Sequence, residues 1–319
     1  MKKKTIPFFA LLLFLMAFQT DKPAYQIFDV VGKKSSYKTI LEKAQEADIV
    51  LFGESHNNPI VHWLQIELTN DLYKEIYQNK SENQSKRKDK KTKSKNNLIL
   101  GAEMFEADNQ TILDEYLNDI ITEKNFEAEA RLWNNYKTDY KPLVEFAKEN
   151  QLTFVATNIP RRYASLVSKK GLKSLDSLTE DAKRFMMPLP IEVDLKLPAY
   201  ANMLKMMGVH STSDDGKVNE SAANFAYAQA IKDATMAFRI NEYYQKSIQD
   251  KSKKSIFLHF NGSYHSDNYE SIVYYLKKYN PNLKIMTITA ADQKELDSLE
   301  KLGVADFAIV TPLSMTKTY

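Results

Sequence analysis

The 319-residue sequence contains no cysteine. That absence excludes disulfides, thiolate metal sites, a cysteine nucleophile and a lipidated cysteine. Glycine is scarce, eight in all, and no Gly-x-Gly-x-x-Gly or Walker-type loop occurs, which argues against the common phosphate-cradling nucleotide enzymes. Near the N-terminus Lys2, Lys3 and Lys4 precede an apolar run from Ile6 to Phe18, broken by Pro7. This run is too short to span a bilayer comfortably as a helix. A basic head and a short apolar run read as a secretory signal over residues 1–20, the alternative being an uncleaved anchor. The expected location is therefore the periplasm or cell envelope, with no lipoprotein cysteine.

Charge of one sign is also missing once the chain is dissected. Without the first twenty residues it carries 41 basic against 41 acidic side chains. The segment Asn79 to Asn97 (NKSENQSKRKDKKTKSKNN) holds eight of those bases and two of the acids. It has no apolar residue to bury and cannot offset its ordering entropy, so it is expected to be a disordered insertion. Contact with an anionic surface is its functional reading. No aromatic residue interleaves with its charges, and no nucleic-acid role is expected.

What is present is a core. Hydrophobic residues make up 43% and aromatics 11% of the chain, enough for a single large α/β domain over 21–319. Short apolar runs at Asp48–Gly53, Leu98–Ala102, Leu152–Thr157, Ser255–Phe260, Leu283–Ile288 and Asp306–Val310 read as buried strands. Helical patterns stand between them, two of them opened by Pro59 and Pro160. The expected fold is a mainly parallel central sheet flanked by helices. Residues 160–220 are expected to form a helical cover over the carboxyl-terminal edge of the strands.

The polar residues that follow the strands are the informative ones. The first strand runs into Glu54, Ser55 and His56; the second ends at Glu103; the third leads to Asn158, Arg161 and Arg162; the fourth leads through His259 to Asn261, Gly262, Tyr264 and His265. Ligands of open parallel sheets bind beyond the carboxyl ends of strands, so Glu54, His56, Glu103, Asn158, Arg161, Asn261 and His265 form a candidate sheet-edge site. Bland readings stand beside it. Glu54 or Glu103 alone suits a helix N-terminus. His62 reads as a packed helical histidine and His259 as a satisfied strand residue. One of Arg161 and Arg162 is expected to pair with a carboxylate while the other is solvated. The methionines at 186, 187, 203, 206 and 207 read as core, although haem also favours such contacts. Two carboxylates with two imidazoles suit zinc, manganese, cobalt or iron without selecting among them.

Several segments carry a resemblance. GESH (Gly53–His56) with His62 and Gln65, GAEMFEADNQ (Gly101–Gln110), the stretch Leu132–Arg162, KDATMAFRI (Lys232–Ile240) and HFNGSYH (His259–His265) occur in order. Together they resemble the ChaN-like haem-binding uptake family of the Tiki and erythromycin-esterase-like superfamily, over about residues 27–310. The resemblance implies an exported iron-acquisition protein that binds haem, with a homodimer and an outer-membrane haem receptor as implied partners. Leu197–His210 (LPAYANMLKMMGVH) looks like the family's haem-contact segment, making Tyr200 and His210 the implied axial ligands. The lysine-rich insertion and the missing lipoprotein cysteine depart from the pattern. The same superfamily implies an alternative, a divalent-metal-dependent hydrolase or peptidase. In it Glu54 would be the general base, with His56, Glu103 and His265 holding the metal. A third reading is a surface-binding protein that acts through residues 79–97.

Overall fold

A computed structural model describes residues 22–78, 96–207, 220–250 and 254–319. The segment read as a secretory signal, nearly all of the lysine-rich insertion, and His210 lie outside the described residues. Seven strands form one sheet: β1 (Gln26–Asp29), β2 (Ile49–Glu54), β3 (Asn96–Glu106), β4 (Thr153–Asn158), β5 (Lys254–Gly262), β6 (Ile285–Gln293) and β7 (Phe307–Pro312). Their order is β1-β7-β6-β2-β5-β3-β4. Every pairing is parallel except that of β1 with β7. The expected mainly parallel α/β sheet is therefore present.

Alternation along the strands builds two cores. Val50 and Phe52 of β2, Leu98 and Leu100 of β3 and Leu258 and Phe260 of β5 face one cluster. Ile49, Leu51, Ile99 and Phe257 face the other. A side chain such as Phe52 or Phe257, at most 1% exposed, contributes about 1.5–3 kcal/mol by burial. The first face is covered by α1 (Tyr37–Glu46), α2 (Pro59–Tyr73), α3 (Gln110–Leu117), α4 (Glu123–Glu129) and α5 (Lys141–Glu149). The second is covered by α6 (Arg161–Lys170), α8 (Pro198–Met206), α9 (Glu220–Ser247) and α10 (Ile272–Tyr279), with the single turn α7 (Glu180–Lys183) among them. Among the described residues no helix is long and apolar enough to cross a membrane.

The start of α2 shows how local chemistry fixes the frame. Asn58 Oδ1 accepts from the backbone N–H groups of Ile60 and Val61, both at 3.1 Å, and Pro59 opens the helix. The amide nitrogen of Asn58 donates to Asp292 and Thr311 at the far ends of β6 and β7. One side chain thus caps the helix and ties it to the sheet.

The region expected as a cover meets the strand ends at Arg161, which lines the pocket there, and at α8, where Tyr264 O–H of the turn after β5 donates to the Ala199 carbonyl at 2.7 Å; the rest of it lies on the sheet face. Leu175, Met186, Met187, Tyr200, Met203 and Leu204 pack into the second core beside α9. The segment has apolar surface to bury, and the broad sheet face offers more of it than the polar strand ends do.

Candidate functional site

The carboxyl ends of β2, β5, β3 and β4 lie side by side, and they border an open pocket of about 580 Å³. Glu54, the last residue of β2, stands opposite Gly262 of β5. Along β3 the register slips between Ala102 and Glu106. That irregularity breaks the strict alternation of faces, and both Glu103 and Glu106 line the pocket. The turn after β5 brings in His265, and the end of β4 brings in Asn158. Trp133 and the half-buried His56, ring centroids 4.9 Å apart, form one wall. Gly262 is required by this approach, because a Cβ there would stand 2.9 Å from the His56 ring.

Two carboxylate–imidazole assemblies occupy the strand ends. In the first, His56 Nδ1–H donates to Glu54 Oε1 at 2.9 Å. The buried Glu54 carboxylate also accepts from Tyr140 O–H and Gln65 Nε2, each at 2.6 Å. Burial pushes the Glu54 carboxyl up, but the His56 hydrogen bond and the nearby His62 outweigh it and hold it below the usual range. Burial likewise disfavours charge on His56, and Glu54 together with Glu103 raises its pKa in spite of that. With Nδ1 fixed by Glu54, Nε2 of His56 is the atom able to take a proton from a bound molecule.

In the second assembly the His265 ring stands between two acids. Its Nδ1 donates to Asp233 at 2.5 Å, and its Nε2 lies 3.2 Å from Glu103. Burial alone would lower its pKa, yet Glu103 and Asp233 lift it to about 10. Burial pushes Glu103 up, and the facing imidazolium overrides this and holds its carboxyl well below the ordinary range. Glu103 also accepts from the Gly262 N–H at 2.8 Å.

This geometry corrects several expectations. Glu54 is 2% exposed and its oxygens are taken by three donors, so it orients His56 rather than acting as a base on substrate. The set His56, Glu103 and His265 is held by internal partners: each ring nitrogen of His265 faces a carboxylate, Asp233 at Nδ1 and Glu103 at Nε2. Among the described residues no group of three or more acids and histidines is arranged to hold a metal. Asn261 is fully buried beneath the site, its amide bonded to the Gly262 carbonyl and to Ser266, and it shapes the turn.

Tyr200 also departs from the implied role. It is fully buried and its O–H donates to Asp233 at 2.8 Å. Burial first, and Asp233 after it, push the phenol far above its ordinary range. An axial tyrosinate needs exposure and easy deprotonation, and Tyr200 has neither. Arg161 and Arg162 both pair with acids, Glu106 and Asp108 respectively. Of the methionines, Met186, Met187 and Met203 are core, whereas Met206 is 84% and Met207 47% exposed.

Glu103, His56, Asn158, Arg161 and His265 are brought together as the sequence indicates. His259 is the satisfied strand residue expected, accepting from Thr157 and donating to Asn261; burial lowers its pKa to about 4. His62 is packed, its ring nitrogens at the Gln65 and His56 carbonyl oxygens. Sequence reasoning missed Asp233, Lys232, Glu106 and Tyr140. The KDATMAFRI segment carried the first two, GAEMFEADNQ the third and Leu132–Arg162 the fourth, but only as parts of a family pattern.

Substituting Glu54→Gln removes the charge that supports the His56 imidazolium. The His56 pKa is expected to fall toward the ordinary 6.5, followed by the ring resonances in an NMR titration. An unchanged value would show that Glu54 does not set it.

Comparison with known proteins completes the picture. No curated protein matches the chain. The ChaN structure of Campylobacter jejuni, described for cofacial haem binding, aligns with a TM-score of 0.60 at 16% identity, over 90% of this chain and 96% of its own. An open-conformation mutant of the erythromycin esterase EreC aligns at 0.42 and 13% identity, over 86% and 78%. At such identities the first likeness is one of fold, and the second carries no further argument. The model of the family described as haem-binding uptake, Tiki superfamily, ChaN, matches residues 40–276. That span is most of the sequence, and the chain belongs to this ChaN family.

Proposed function

We propose that this protein binds haem for uptake and works outside the cytoplasm. The supporting observation is an exposed apolar, sulfur-bearing surface at the end of α8. Met206 and Met207 stand in solvent immediately before residues 208–219, which include His210, and Phe225 is exposed at the start of α9. Exposed apolar groups of this kind mark binding surfaces. A porphyrin needs flat apolar contacts and an axial nitrogen or oxygen. With Tyr200 committed to Asp233, His210 is the remaining ligand of the implied pair. The family description favours the same cargo. The Campylobacter protein is described for cofacial haem binding, and a homodimer of this chain belongs to the same proposal. The basic head and apolar run before residue 20 support export. Delivery by an outer-membrane haem receptor, and contact with an anionic surface through 79–97, belong to the same proposal.

Haemin titration of the chain from residue 21 tests it. A saturable Soret shift is expected, lost or altered in His210→Ala and retained within about threefold in Tyr200→Phe. No shift beyond that of an unrelated protein would remove the haem reading. Loss in Tyr200→Phe alone would return the ligand role to that residue.

The Glu54–His56 pair favours a second reading, hydrolysis in the strand-end pocket with His56 Nε2 taking a proton from water. His56→Ala would abolish such turnover while leaving the Soret shift of the first reading in place.

A further inference from the structure

We propose that the strand-end pocket binds an organic ligand through a carboxylate group, with the Lys232 ammonium as its charge partner. The acids of the pocket already have partners within the fold. Glu103 faces the Gly262 N–H and His265, whose ring it shares with Asp233. Glu106 accepts from Arg131 and Arg161, and Asp108 pairs with Arg131 and Arg162. Three guanidinium groups therefore meet two carboxylates at this rim. Lys232 of α9 also lines the pocket, is half-buried, and has no ion-pair partner among the described residues. The rim holds uncompensated positive charge in a partly desolvated place, which an anion would relieve.

Two independent features point the same way. Asn158 lines the pocket, is 8% exposed, and its Oδ1 is buried without a hydrogen-bond partner. Such an acceptor calls for a donor from a bound molecule. The N-terminus of α6 also opens here: Arg161 is its first residue, and no side chain caps it. The positive end of its dipole adds to the attraction for negative charge. Leu132, Trp133 and Ile159 supply an apolar wall. The ligand this describes has a flat or apolar body, one carboxylate, and a hydrogen-bond donor for Asn158. A free organic acid and a haem propionate share that carboxylate chemistry. The assignment does not depend on the haem reading.

The test uses the full chain and 2-naphthoate as probe, with the uncharged 2-naphthamide as its isostere. Binding is followed by calorimetry and by the indole N–H resonance of Trp133, identified with Trp63→Phe. Naphthoate is expected to saturate and shift the Trp133 signal, with naphthamide about tenfold weaker. Lys232→Met should weaken naphthoate about tenfold and leave naphthamide unchanged, while Lys232→Arg retains affinity within about threefold. Equal binding of acid and amide, indifference to Lys232→Met, or equal competition by inorganic phosphate would each overturn the proposal. Displacement of naphthoate by haemin but not by its dimethyl ester assigns the carboxylate to a propionate. Displacement by neither assigns it to a free acid, and the subsite stands in both cases.

Discussion

Asp233→Ala lowers the free energy of unfolding by about 3–5 kcal/mol near neutral pH, as removal of one partner from a buried ion pair does. Asp233 is 1% exposed and receives two donors, Tyr200 O–H and His265 Nδ1–H. Alanine removes the charged acceptor of a buried phenol and leaves an imidazolium with Glu103 alone. Urea unfolding reads the loss as a lower midpoint at unchanged slope. Tyr200→Phe dissects it: losing one hydrogen bond to a charged acceptor should cost about 1.5–3 kcal/mol. Asp233→Asn retains an acceptor while removing the charge, and should fall between wild type and alanine. A loss below about 1 kcal/mol for Asp233→Ala would mean that the network contributes little to the folded state.

Stability is expected to decline above neutral pH, and His265 sets the direction. Folding raises its pKa from the ordinary 6.5 to about 10. The folded state therefore binds the proton more tightly than the unfolded chain does. The resulting stabilisation is complete below pH 6.5 and is lost progressively as pH climbs through about 10. A shift of this size corresponds to a few kcal/mol, at about 1.4 kcal/mol per unit. Glu103 acts at the other end of the scale. Its folded pKa is depressed below the ordinary 4.5, so its stabilisation is present above that value and fades as the solution becomes more acidic. The pair together is at its best between about pH 4.5 and 6.5. Urea midpoints at pH 6, 8 and 9.5 should fall in that order, and less steeply in His265→Gln. A midpoint that stays level from pH 6 to 9.5 would contradict an imidazolium held between two acids.

Much of this arrangement was legible because it depends on short-range chemistry. Buried parallel strands are continuous apolar runs, and the residue just past each run must stand at the sheet edge. That reasoning located Glu54, His56, Glu103, Asn158, Arg161 and His265. It erred on Asn261, which belongs to β5 itself and lies buried under the site rather than in it. The antiparallel β1 was too short and mixed to stand out, and the slip in β3 that presents Glu106 has no signature in the apolar pattern. Asp233 was hidden for a different reason. Beside Lys232 in a helix of 28 residues it reads as a solvated charge, and only packing against α8 and the turn after β5 shows that its face is internal. The methionines near the end of α8 divide likewise: Met203 turns inward while Met206 and Met207 do not, a difference set by where the helix stops touching its neighbours.

The strand order also has a consequence for how the chain is made. The central strand β2 pairs on one side with β5 and on the other with β6, so Ile49 meets Phe257 and Ile285. Both partners are synthesised more than two hundred residues later. At about 5–20 residues per second, β2 waits on the order of 10–40 s after leaving the ribosome before either neighbour exists. Of the native sheet only the β3–β4 pair can form on the nascent chain during that interval, and contacts as distant as those of β2 close slowly even then. Joining of β2 to the rest of the sheet is therefore a late event. Any chain stopped before residue 254 lacks β5, and with it the hub that joins both halves of the sheet.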